Sequence, residues 1–109
     1  LSNNAHWDVL RGLMGMAPRL LVLGGGGYNP WSVGRMWTGI WGILNGHEIP
    51  NRLPQQAESV LKALRFEGNR RGKNPPEHWF TTLRDQPRDG DVRDEVREGV
   101  RILLKRGLS

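Results

Sequence analysis

The sequence predicts an α/β fold, seen as the C-terminal part of a parallel-sheet domain that is mostly helical with one convincing strand. Three observations carry this reading. The run Leu20, Leu21, Val22, Leu23 is apolar on both alternating faces, as a strand covered by helices on both sides would be. Gly24, Gly25, Gly26 and Gly27 follow, then Tyr28, and a helical pattern opens at once with Asn29-Pro30. The chain starts at Leu1 rather than Met and holds no second convincing strand, so the partners of this one are expected upstream. A lone buried strand would leave its amides and carbonyls unpaired.

The elements follow in order. Ser2 and Asn3 suit the cap of a first helix in which Trp7, Leu10, Leu13 or Met14, and Ala17 form a stripe ended by Pro18. That helix is expected to cover one face of the sheet. Strand, glycine loop and a second helix make one unit over 19–46. In that helix, over about 30–45, Asn29 is the cap and Pro30 the first position, while Val33, Met36, Trp37, Ile40, Trp41 and Leu44 recur at helical spacing. Gly46 suits the position just past its end. Residues 47–54 read as a turn punctuated by Pro50 and Pro54, and a short helix over 55–64 places Ala57, Val60, Leu61 and Leu64 on one side. Residues 67–78 read as a polar surface loop. A terminal helix over 91–106 carries Val92, Val96, Val100 and Leu103 on its inner face. Asp91, Asp94 and Glu95 at its start and Lys105 and Arg106 at its end complement its dipole.

Composition bounds the function classes. The 109 residues carry a formal charge of +5, but the basic residues are dispersed and only Arg70, Arg71 and Lys73 cluster, which disfavours nucleic acid as a partner. With no cysteine there is neither a disulfide framework nor a thiolate zinc site within the chain. No apolar run approaches the roughly 18 to 20 residues of a membrane span, and no basic, apolar leader opens the sequence, so the expected location is the cytoplasm.

Chemistry is expected at the glycine loop. Ligands of open α/β sheets bind outside the carboxyl ends of the strands, and Tyr28 is the first side chain past that point. Its bland alternative is a tyrosine that caps the sheet and bonds a neighbouring loop. A phosphate site is a second alternative, although neither the dinucleotide pattern, which needs glycine at Asn29, nor the P-loop lysine is present. His6, His47 and His78 are too scattered for a metal site. The pair His6 and Asp8 reads as a surface pair, and His47 beside Glu48 as part of a turn. Trp37 and Trp41 read as core, whereas Trp31 falls off the stripe and reads as exposed.

The segment LVLGGGGYNPWSVGRMWTGIWGILNGHEIPNRLP resembles the last conserved block of the zinc-dependent histone deacetylase family, matching at Tyr28, Arg35, Trp37, Thr38, Glu48, Ile49, Pro50, Leu53 and Pro54. It is most similar to the bacterial acetoin-utilization-type deacetylases, notably in Asn29-Pro30-Trp31 and in residues 75–83, PPEHWFTTL. The resemblance implies an arginase/deacetylase-like fold. It also implies amide hydrolysis by a zinc-activated water, with the zinc ligands and proton-transfer histidines upstream of this chain. Tyr28 would then donate to the substrate carbonyl and stabilise the oxyanion, and Gly25, Gly26 and Gly27 would line the acyl-lysine channel. The implied substrates are acetylated protein or a small acylated amine, and the acetoin-linked members suggest a role in acetate metabolism. Trp31 stands where co-repressor deacetylases hold an inositol phosphate with arginine, so that regulation is not expected. The chain alone is expected to be inactive. The competing readings are a small basic module binding nucleic acid or protein, and a phosphate-binding piece of another α/β enzyme.

Overall fold

The computed structural model describes residues 2–25, 27–66 and 74–107. Its helices are α1 (Asn3–Leu13), α2 (Pro30–Leu44), α3 (Gln55–Ala63), α4 (His78–Thr81) and α5 (Asp94–Gly107). The two main helices start where their caps are. The Ser2 side chain accepts from the Ala5 amide at 3.2 Å, and Asn29 Oδ1 accepts from the Ser32 amide at 3.0 Å with Pro30 in the first turn. α2 ends as the sequence requires, with Gly46 at φ +74°, a conformation that costs a residue with a Cβ about 1 kcal/mol or more.

The core lies between α1 and α2. Trp7, Leu10, Ile40, Ile43, Ile49 and Leu83 are buried together, with Val22, Met36, Trp37 and Leu53 packed against them. Full burial of each such side chain contributes about 1.5 to 3 kcal/mol. Close approach of the helices depends on Gly39, where a Cβ would overlap the indole of Trp7. That indole also donates from Nε1 to the Met36 carbonyl at 3.1 Å. α3 and α2 both pack on α4, a turn that the sequence reading left inside the tail after the polar loop.

Segment 82–85 is tied to the first two helices by polar groups. Asn3 Nδ2 donates to the Leu83 carbonyl at 3.0 Å. Asn4 pairs reciprocally with the Asp85 backbone, donating at 2.9 Å and accepting at 3.2 Å. Arg84 reaches back through Nη2 to the Ile49 carbonyl at 2.8 Å.

Several expectations are corrected. No strand forms among the described residues, and 20–25 is extended chain without a ladder. Leu21 is 80% and Leu23 79% exposed, and Val22 alone of the run packs on the core. The cause is that ladder bonds need a second strand, and none of the described residues provides one. α1 accordingly packs on α2 rather than on a sheet, and it stops at Leu13, before Pro18, leaving Met14 and Ala17 exposed.

The buried face of α2 is rotated from the expected stripe. Trp31, Arg35, Gly39, Ile40, Gly42 and Ile43 are inside, Trp41 is 61% exposed and Leu44 is exposed. Gly39 brings this face inward, because the Trp7 indole fills the space that a Cβ there would occupy, while Gly42 lies against Ile49. In α3, Val60 faces out and Glu58 is buried, held by Arg52 through two bonds of 2.7 and 3.1 Å. α5 keeps the predicted charges at its ends, but Val92 precedes it and Val96, Val100 and Leu103 are all exposed. The cluster Arg70, Arg71 and Lys73 and most of the loop at 67–78 lie outside the described residues. No described helix is long and apolar enough to cross a membrane.

Candidate active site

Tyr28 stands between the glycine run and the Asn29 cap of α2. Its side chain is 89% exposed and makes no hydrogen bond to any described residue. Two contacts fix the loop behind it. Gly27 has φ +78°, and a Cβ there would stand 3.0 Å from Cγ2 of Val33. At Gly24 a Cβ would stand 2.6 Å from Cζ2 of Trp37, so the loop backbone lies directly on that indole. Gly25 faces open space, and Gly26 lies outside the described residues. The arrangement presents a free phenol at the head of a capped helix, a hydrogen-bond donor able to reach a carbonyl oxygen.

The base under this phenol is α2, which is held from below by Trp31 and Arg35. Trp31 is 3% exposed rather than solvent-facing, and its Nε1 donates to the Leu61 carbonyl at 2.9 Å. Arg35 is 2% exposed. Its Nε donates to the Thr82 carbonyl at 2.7 Å, and Nη2 to the Leu83 and Arg84 carbonyls at 3.3 and 2.8 Å and to Asp85 Oδ1 at 3.0 Å. Burial lowers the pKa of this guanidinium, and the Asp85 carboxylate opposes that shift. Trp31, Arg35 and Gly39 are four residues apart, the only sequence signal that they share a face.

The histidines do not converge. His6 is exposed with Nδ1 2.8 Å from the Ser2 carbonyl, while Asp8 pairs with Arg11 at 2.9 Å, so the two make separate surface contacts on α1 and are not a ligand pair. His47 stacks on Trp41 with centroids 5.5 Å apart. No three His, Cys, Asp or Glu among the described residues could hold a metal ion together. These residues therefore do not fit the zinc that the resemblance implies.

The structure superposes on two solved chains, each at TM-score 0.75 and 35% identity over 93% of this chain and 27% of theirs. The fold is thus shared with solved homologues of the histone deacetylases, to which this chain is similar. The two structures are an HDAC homologue complexed with SAHA and an HDAC homologue from Aquifex aeolicus. Histone deacetylase 9 of Arabidopsis thaliana is 40% identical over 55 residues, half of this chain and 13% of that protein. Histone deacetylase 1 of Oryza sativa subsp. japonica is 37% identical over 54 residues, half of this chain and 10% of that protein. The chain thus spans only a small part of these relatives. No family model matches it.

Proposed function

We propose that this chain belongs to a zinc-dependent deacetylase that removes acetyl groups from acetyl-lysine or a related acylated amine in the cytoplasm, its metal held by residues other than those described. The observation that carries this reading is the unpartnered Tyr28 phenol on the capped start of α2, in a chain 35% identical to HDAC homologues. Tyr28 donates its O–H to the substrate carbonyl and stabilises the negative charge that develops on that oxygen. Gly25, Gly26 and Gly27 let the acyl chain approach the backbone. The likeness of Asn29-Pro30-Trp31 and residues 75–83 to the acetoin-utilization-type deacetylases supports a member of that type with a role in acetate metabolism. The 109-residue chain by itself is expected to be inactive, because oxyanion stabilisation needs the upstream ligands and histidines to act upon.

The test is Tyr28→Phe in the whole enzyme, assayed on an acetyl-lysine peptide. Turnover is expected to fall about 100- to 1000-fold, the cost of one oxyanion donor, with unfolding unchanged. Wild-type turnover in that variant would refute the assignment.

A further inference from the structure

A cavity of about 520 Å³ opens between the start of α1, the first turns of α2 and the chain on either side of α4, apart from the loop that carries Tyr28. That volume is within the roughly 300 to 1,000 Å³ of small-molecule sites. Arg35 lines it while nearly all of its side chain is buried. Its Nε and Nη2 are bonded, but Nη1 has no hydrogen-bond partner among the described residues. Arg88 stands at the rim, Ser2 and Ser32 contribute hydroxyls, and His78 and Trp79 form an aromatic wall with their rings at 84°.

The charge count selects the ligand. Arg35, Arg88 and one carboxylate, Asp85, line the cavity, leaving an excess of one positive charge while His78 is neutral. A monoanion matches that excess, whereas a dianion would leave one uncompensated negative charge beside Asp85. The open Nη1 of Arg35 suits one carboxylate oxygen, and the indole of Trp79 suits an apolar body behind it. We infer that this cavity binds a small monocarboxylate with an apolar body, its carboxylate between Arg35 and Arg88 and its body against Trp79. The site is independent of the deacetylase reading.

His78 adds a readout. Desolvation and the neighbouring Arg35 and Arg88 hold its pKa below the ordinary value against the pull of Asp85, while α1 presents only Ser2, Asn3 and Asn4 to the cavity. A bound carboxylate favours the charged ring, so binding takes up a proton and tightens as pH falls.

The experiment is titration of the whole enzyme with benzoate, followed by calorimetry and by the His78 ring resonances. Saturable binding is expected, weakened roughly fivefold by Arg88→Gln, an exposed position whose loss leaves the fold intact. Affinity is expected to rise as pH falls through the ordinary histidine range toward the depressed value of free His78, and His78→Gln is expected to remove that dependence. Benzamide, with the same body and no charge, is expected to bind roughly tenfold more weakly or worse. Equal binding of benzoate and benzamide, tighter binding of inorganic phosphate, or indifference to Arg88→Gln would each overturn the inference.

Discussion

Asp85 accepts from Arg35 Nη2 at 3.0 Å through one carboxylate oxygen and from the Asn3 amide at 2.7 Å through the other. A single side chain thereby joins the start of α1, the middle of α2 and the chain after α4. Removing it leaves the Arg35 guanidinium buried without its counter-charge. Asp85→Ala is expected to destabilise the fold by ~3 kcal/mol, read from the urea midpoint, and a change below about 1 kcal/mol would contradict the role given to the pair.

Gly39→Ala forces a methyl group into the Trp7 indole. Overpacking of this kind costs ~1 to 3 kcal/mol. The loss is expected to shrink in a Trp7→Leu background, where the space is already open. A double-mutant cycle measures the difference, and additivity of the two changes would show that the contact does not matter.

At Gly24 the same argument concerns function rather than folding. A Cβ pressed on the partly buried Trp37 displaces the loop that carries Tyr28. Gly24→Ala in the whole enzyme is expected to lower kcat up to about 100-fold, the cost of a misplacement near 1 Å, with a smaller effect on thermal unfolding.

His78 gives the pH dependence. Its folded pKa is depressed, chiefly by desolvation, so the unfolded chain binds the proton more readily. Stability from this group is complete above the unfolded value near 6.5 and is lost as pH falls from there toward the lower folded value. Denaturation measured across that window should show the decline, and His78→Gln should flatten it.

What could be read from the sequence was local. Ser2, the Asn29-Pro30 pair and Gly46 mark helix ends through chemistry contained within a few residues, and they mark them correctly. The glycine loop and Tyr28 were likewise visible as a motif. The buried face of α2 was not, because periodicity weighs Trp41 as apolar and Arg35 as polar. What decides the face is the absence of a side chain at Gly39, together with carbonyls 47 to 49 positions away that receive Arg35. The run at 20–23 has the composition of a strand, but pairing is non-local, and the described residues offer it no partner.

That unpaired run has a practical consequence for handling the protein. Leu21 and Leu23 stand bare on extended backbone with open amides, with Met16 exposed just before them. Such a segment templates strand addition between copies. Preparations of the 109-residue polypeptide will therefore tend toward concentration-dependent precipitation, with nicking by proteases focused near this stretch. A charged substitution such as Leu21→Lys should improve its solubility and leave the α1–α2 core undisturbed.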